Sequence, residues 1–399
     1  MSILNEERLE LAMEKEGLDV IIATTIENIE YATNYRSFTL GLIRGAEFLS
    51  VIPRKGLAPR ALIAPVSEID LIAEKKPQVE QIIPYGTFSF RPPSAQETDL
   101  EEADLRLIEW GVPKPKHNSA VDALYNYIDS HGLSHIRLGI DEAGIGFLAY
   151  ERIREALQPI EVKPAYSIWQ WIRRVKTKEE IDRLKMAVAI TERALQETLK
   201  EFQEGIEESD LEKIYVKSLI EQGARPSFAV IAFGSHSAYP NAAITKRKLL
   251  RGDTVRYDIG CTYEGYHADI SRTAVFGTPS AKIKGYYEAI LAGEEAAIEN
   301  LHPGQKANEI FNIAVETTRR MGIKDYARNH VGHGIGIEVY DPPILKPGDE
   351  STIEEGMVFC VETPFYEIGW NGLQVEDAVV VTKNGPEYLT AMSRELIVI

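Results

Sequence analysis

The chain of 399 residues is longer than one hydrophobic core usually supports, and with 44% hydrophobic and 26% charged residues it is expected to form two globular domains rather than a disordered polymer. A formal net charge of −17 leaves no basic stripe for nucleic acid, and Cys261 and Cys360 are too few for a disulfide framework. No run of about eighteen apolar residues suits a membrane span, and acidic residues precede any apolar run in MSILNEERLELAMEKEGLDV, so a cytoplasmic location is expected.

In chain order, NEERLELAMEKEGL has the spacing of a helix, DVIIATT, RALIAPV and IRLGID read as strands, and AYERIREALQ reads as another helix. This alternation predicts an α/β domain over residues 1–165. Around EVKPAYSIWQWIRRVKTKEEI the pattern breaks at a proline and a basic patch. Thr177 followed by Glu180 is a capping-box signature for a long amphipathic helix from about Lys178 to Phe202, where a second domain, residues 175–399, is expected to begin. ESDLEKIYVKSLIEQGA continues as a helix, and PSFAVIAFG, DTVRYDIGCTYEGYHADISRTAVFG, GMVFCVETPFYE and GLQVEDAVVVTKNG are β-rich. Two helical segments, AKIKGYYEAILAGEEAAIENL and ANEIFNIAVETTRRMG, lie between those strands. Helices two by two around strands suggest an α+β core and an internal duplication too diverged to show as identity.

Strands apolar on both faces are normally buried, so an acid inside one needs compensation. Asp258 in VRYDIGC, Asp269 in YHADISRT, Glu362 in FCVETPF and Glu376 in LQVEDAVVV are four such acids. Each alone fits an edge-strand carboxylate facing water or a nearby arginine. Four converging on one place, with the glycine-framed histidine of NHVGHGIGIEVYDPP, would repel one another unless cations filled the gap, and two divalent ions carry the charge required. Oxygen-rich ligation with one imidazole suits Mn²⁺, Co²⁺, Fe²⁺ or Zn²⁺ without choosing among them.

YDIGCTYEGYHADISRT, HVGHGIGIEVYDPP, GMVFCVETPFY and GLQVEDAVVVTKNGPEYLT together resemble the signature segments of the pita-bread metallopeptidases, which include methionine aminopeptidases and Xaa-Pro dipeptidases and aminopeptidases. The resemblance runs from about Lys176 to the C-terminus, and the preceding part is similar to the creatinase-type N-terminal domain of prolidase-like members. It implies an α/β N-terminal domain followed by an α+β pita-bread catalytic domain. It also implies two metal ions held by Asp258, Asp269, His333, Glu362 and Glu376, with Asp269 and Glu376 bridging, Asp258 completing one ion, and His333 with Glu362 completing the other. Gly334 and Gly336 would then let the backbone crowd the metal and a substrate.

The pocket departs from the family pattern. Proline-directed members carry a histidine after the proline of a SAxPH-type segment, where GSHSAYPNAAIT has Asn241, and another seven residues after the metal histidine, where Tyr340 stands. Asn241 and Tyr340 can donate hydrogen bonds to a developing oxyanion but cannot shuttle protons near neutral pH, so weak turnover of Xaa-Pro dipeptides is expected. Gln374 replaces an arginine common in prolidases and is a candidate substrate-binding residue. His236 and His330 are candidates for the missing imidazole, although a lone histidine is more often simply satisfied or solvated. His267 is a candidate partner of Asp269 on one strand face, and Cys360 reads as a small buried residue. Tyr366, Trp370 and Asn371 either line the pocket or pack beside it.

The leading reading is a hydrolase in which a metal-bridging water attacks a peptide or small amide bond while Glu362 handles the proton. Hydrolysis of a small amide or lyase action on a small zwitterion is the alternative, and a non-catalytic binding module is a third reading that the retained acids argue against. The expected partners are a small peptide or amide substrate and a second copy of the chain in a homodimer, with neither nucleic acid nor membrane.

Overall fold

Asn5 accepts a hydrogen bond from the Arg8 amide and Gly17 takes a left-handed φ of 66°, which start and stop the first helix, Glu6–Glu16. The computed structural model describes residues 3–94 and 99–399, and the chain divides into two units, Met1–Arg173 and Arg174–Ile399. In the first unit the fully buried strand Val20–Ala23 lies inside a six-stranded sheet. Its order is Gln81–Tyr85, Ala61–Pro65, Leu49–Pro53, Val20–Ala23, Arg137–Ile140, Glu161–Pro164. The inner strand runs parallel to Arg137–Ile140 and antiparallel to Leu49–Pro53, so this α/β sheet is mixed. The outermost strands contain Pro84 and Pro164, residues that blunt an edge and also weaken its strand signature in sequence.

The second unit opens with the helix Lys178–Lys200. Thr177 Oγ1 accepts from the Glu180 amide at 3.3 Å and the Glu180 carboxylate accepts from the Thr177 amide at 2.7 Å, so the capping box forms as its spacing predicts. The helices Lys178–Lys200 and Glu208–Glu221 pair with each other, and Ala281–Glu299 pairs with Ala307–Arg320. The same unit carries a ten-stranded sheet whose main path is Asp341–Ile344, Gly332–Gly334, Val358–Glu362, Glu376–Thr382, Ile270–Val275, Thr254–Tyr263, Arg225–Phe233. Ile290, Ile298, Ile310 and Ala314 of the second helix pair pack with Phe359, Val361, Val379 and Val381 of the sheet in one buried cluster. Burial of this apolar face, worth roughly 25 cal/mol per Å², holds the strands Val358–Glu362 and Glu376–Thr382, which carry two of the acids, against the helices. No helix among the described residues is long and apolar enough to cross a membrane.

Candidate metal centre

Antiparallel register decides where the acids meet. Glu362 pairs directly with Glu376, Glu376 with Ser271, and Ser271 with Asp258. Like charges placed opposite each other in this way destabilise a sheet unless something neutralises them. Asp269 immediately precedes the strand Ile270–Val275, and His333 pairs with Cys360, two residues before Glu362. Ligand atoms of Asp269, His333 and Glu376 lie within 4.8 Å of one another. Gln374 ties the remaining two acids to this group. Its Nε2 reaches Glu362 Oε2 and Glu376 Oε2, both at 3.4 Å, and its Oε1 accepts at 2.9 Å from Arg256 Nη1, which stands 3.1 Å from Asp258 Oδ2.

Without cations this arrangement holds protons. Burial, followed by repulsion from Asp258 and Glu362, pushes Asp269 well above the usual carboxylate range. Burial and repulsion from Asp269, Glu362 and Asp258 do the same to Glu376. Burial raises Asp258 against the pull of Arg256, and burial lifts Glu362 to about 7 against the pull of Arg328.

The histidine shows what is needed. His333 Nδ1 lies 3.0 Å from the Gly334 carbonyl, which can only accept, so Nδ1 carries the proton and Nε2 of the neutral ring carries a lone pair. Burial pushes this imidazole down to about 4, so the ring is neutral. Its Nε2 nevertheless faces Asp269 Oδ2 at 3.6 Å, and Asp269 Oδ1 is buried with no hydrogen-bond partner among the described residues. Two acceptors facing each other beside an orphaned carboxylate oxygen fit a bound cation, and the oxygen-rich donor set with one imidazole fits a hard or borderline divalent ion.

Around this group the expected residues divide. Tyr340 is half exposed and its ring stacks on His333, with centroids 3.7 Å apart and planes 18° from parallel. His330 Nδ1 lies 3.3 Å from Glu362 Oε1, a close approach without hydrogen-bond geometry, and burial pushes this ring down to about 4. Asn241 is exposed on the turn after Pro240. His236 is engaged elsewhere: its Nδ1 meets Glu208 Oε1 at 2.8 Å, and it lines a surface cavity of about 390 Å³ with Tyr239, Arg247 and Ile368. Gln374 is 1% exposed with its amide spent on Arg256, Glu362 and Glu376, so it braces acids rather than facing a substrate. Trp370 packs against Tyr286 and Phe365, and the Tyr366 hydroxyl donates to Gln374 Oε1 at 3.3 Å. His267 turns to Thr262 Oγ1 at 3.3 Å, and because the strand pattern is interrupted at Ala268 and Asp269, the shared-face argument for this pair does not apply.

The two glycines are also constrained by the protein itself. A Cβ on Gly334 would stand 2.5 Å from the Asp341 carbonyl oxygen, and one on Gly336 would stand 2.6 Å from Asp341 Oδ2 and 3.0 Å from Lys176 Cε. The Asp341 segment and its buried ion pair with Lys176 therefore leave no room for a side chain at either position.

Two arginines escaped the sequence reading. Arg256 is fully buried and spends all five N–H donors: on Ser237 O, Asp258 Oδ2, Gln374 Oε1, Tyr239 O and Pro240 O. It thereby ties the Asn241 turn to the Asp258 strand. Arg272, also fully buried, donates to Glu376 O at 2.8 Å and to Asp377 Oδ1 at 2.7 Å from behind the acids. The legible signal was a cation inside the same apolar strand runs, in VRYDIGC and DISRTAV.

Residues 182–383 match the profile of metallopeptidase family M24, and residues 7–175 match the creatinase/prolidase N-terminal domain. The chain belongs to metallopeptidase family M24. An Xaa-Pro dipeptidase of Pyrococcus furiosus is 34% identical over 262 residues, covering 65% of this M24 chain and 75% of the relative. The crystal structure of the prolidase from Pyrococcus horikoshii superposes with a TM-score of 0.77 at 26% identity, over 98% of this chain and all of that one, a coverage of 100%. An Xaa-Pro dipeptidase from Bacillus anthracis shares the fold at a TM-score of 0.80 and 24% identity, covering 98% of each chain. The creatinase-type domain followed by a pita-bread catalytic domain is therefore the architecture of this M24 protein, and the protein is a metal-dependent hydrolase of the peptidase type. Neither the small-amide or lyase alternative nor the binding module is favoured by these relatives.

Proposed function

We propose that the protein cleaves short peptides with two divalent cations held by Asp258, Asp269, His333, Glu362 and Glu376, Asp269 and Glu376 serving both ions. The observation that carries the ligand set is the lone pair of His333 Nε2 facing Asp269 Oδ2 beside an unpartnered Asp269 Oδ1. Bound divalent cations supply Lewis acidity and a water acidified for attack on an amide carbon. Mn²⁺, Co²⁺, Fe²⁺ and Zn²⁺ all suit these donors. Glu362 takes up the proton of the attacking water and returns it to the leaving amine, with His330 3.3 Å from its Oε1. Tyr340, held flat on His333, offers its hydroxyl to the oxygen on which charge develops, and Asn241 offers a second donor from the turn that Arg256 fixes.

Neither Asn241 nor Tyr340 is the histidine of proline-directed relatives, so selectivity for Xaa-Pro is weak in this reading. The substrate is a small peptide, and the protein acts as a homodimer in the cytoplasm, a reducing compartment that suits its two free, buried cysteines. The deciding experiment loads the purified chain with each metal in turn and compares Leu-Pro, Leu-Ala and an N-terminal Met peptide. Stoichiometric metal with cleavage of Leu-Ala at least equal to that of Leu-Pro supports the reading. A kcat/KM for Leu-Pro on the order of 10⁴ M⁻¹s⁻¹ or more, with Leu-Ala inert, removes the weak-selectivity part. Loss of metal on none of the five single substitutions removes the ligand set.

A further inference from the structure

The cavity of about 390 Å³ beside His236 is lined by Ser235, His236, Tyr239, Thr245, Arg247 and Ile368, and none of the five metal-site residues reaches it. Arg247 brings a guanidinium that is almost wholly unspent. Its Nε is buried without a partner, and Nη1 reaches only Ser235 Oγ, at 3.5 Å, the limit of a hydrogen bond. Among the described residues Nη2 donates to nothing and Arg247 is in no ion pair. Asp253 is near enough to feel its charge, but Asp253 Oδ2 is taken by the Leu250 amide at 3.0 Å. Lys246, Lys248 and Arg251, on the same stretch TKRKLLRGD, are likewise in no ion pair among the described residues. This is a local excess of positive charge on a chain of net −17.

His236 brings the complementary atom. Glu208, fully buried, accepts from the Phe233 amide at 2.9 Å, the Thr245 amide at 3.0 Å and the Thr245 hydroxyl, so it acts as an acceptor throughout. Its 2.8 Å contact with His236 Nδ1 therefore places the ring hydrogen on Nδ1. Nε2 of the neutral ring is left with a lone pair and no partner among the described residues. The cavity thus offers a planar fork that seeks two acceptor oxygens and a lone pair that seeks a donor, with the Ser235 hydroxyl able to serve either way. A tetrahedral oxyanion that keeps an O–H satisfies both, as hydrogen phosphate does throughout the neutral range. Sulfate suits the fork but has no hydrogen for Nε2. We propose that this cavity is a binding site for inorganic phosphate, held by Arg247 and His236 and selective against sulfate. The site shares no residue with the five metal ligands, so it stands apart from the peptidase reading.

The test titrates inorganic phosphate, sulfate and methyl phosphate into the metal-loaded full chain by calorimetry. About 0.15 M sodium chloride screens the diffuse attraction of Lys246, Lys248 and Arg251 beyond about 8 Å. Phosphate also meets metal ions, so the binding that counts is the component that Arg247→Gln removes. At this site the wild type should bind phosphate about tenfold or more tightly than sulfate, and about tenfold or more tightly than Arg247→Gln does, as loss of one charged hydrogen-bonded contact implies. Arg247→Lys should keep part of the affinity, since a lysine retains the charge without the fork. His236→Phe should bring the phosphate-to-sulfate ratio close to one. Methyl phosphate at about pH 8, well above its second pKa of about 6, has no O–H and should bind as weakly as sulfate. Melting curves confirm that each variant is folded, and the comparison of the three anions within the wild type needs no variant. Equal phosphate binding by the wild type and Arg247→Gln overturns the proposal, as does sulfate or methyl phosphate binding as tightly as phosphate.

Discussion

The Tyr340 ring lies flat on the His333 imidazole, 3.7 Å between centroids and 18° from parallel. The stack places a phenol at the edge of the acid cluster while its own exposure stays near one half, at 50%. Burial and the charges of Glu362, Glu376, Asp269 and Asp258 all raise this hydroxyl above its ordinary value, so it is a neutral hydrogen-bond donor at working pH. Tyr340→Phe keeps the stack and removes the donor. We expect kcat to fall by about 10²-fold with bound metal unchanged, read by steady-state kinetics together with metal analysis; an undiminished kcat would show that the hydroxyl touches nothing in the transition state.

Metal and stability should be linked. Stripping the cations leaves Asp258, Asp269, Glu362 and Glu376 to repel one another, so chelation should lower the melting temperature, and metal at about 100 times its dissociation constant should restore roughly 2.7 kcal/mol. Asp269→Asn should weaken metal binding more than His267→Ala, because Asp269 lies in the close group with His333 and Glu376 whereas His267 is bonded to Thr262. Titration calorimetry orders the two; the reverse order would reject Asp269 as a shared ligand.

The metal-free chain should become less stable as pH rises above neutrality. Carboxyls raised in the folded state, with Glu362 at about 7 and Asp269 and Glu376 well above the usual range, bind protons that the unfolded chain has already lost, so their contribution disappears as pH climbs through the folded values. His330 and His333, pushed down to about 4, act in the opposite sense: the unfolded chain takes up protons below about 6.5 that the folded rings refuse. Above about pH 6.5 only the acids remain, so stability falls there. Denaturant melts of the metal-free chain across pH 6 to 9 measure it, and saturating metal should flatten the curve. A metal-free chain that gains stability over this range would contradict the shared-proton picture.

Arg256→Met should be more damaging than most substitutions in this sheet. It takes the hydrogen-bonded guanidinium from Asp258 and removes the donor from four other acceptors at once, which by analogy with broken buried pairs costs about 3–5 kcal/mol. Chemical denaturation of the metal-loaded variant gives the number; a change below about 1 kcal/mol would mean that water replaces the lost donors.

Much of this was open to a reader of the sequence alone. Thr177 and Glu180 announced a helix start that forms with both hydrogen bonds, and four acids in apolar runs announced a place where charge had to be compensated. Those features are legible because capping and burial depend on residue type at short spacing, which any linear text displays. The roles of His236, Gln374 and the two glycines were not legible in the same way. His236 pairs with Glu208, and Gln374 with Arg256, across long separations in the chain. Gly334 and Gly336 are constrained by Asp341 and Lys176, neighbours that no periodicity reveals.

Residue identity and local pattern alone pointed to an α/β domain ahead of an α+β one and made Asp258, Asp269, Glu362 and Glu376 conspicuous as acids in apolar runs; that they and His333 form one ligand set came from the family resemblance. Tertiary structure decided how they face one another. Glu362 meets Glu376, 14 residues further along the chain, because their two strands pair in one register out of several, and a slip of one residue would turn every one of those side chains to the opposite face. It also decided that one guanidinium, Arg256, is spent and another, Arg247, is not, since whether a donor is satisfied depends on which acceptors the folded chain brings within about 3 Å of it.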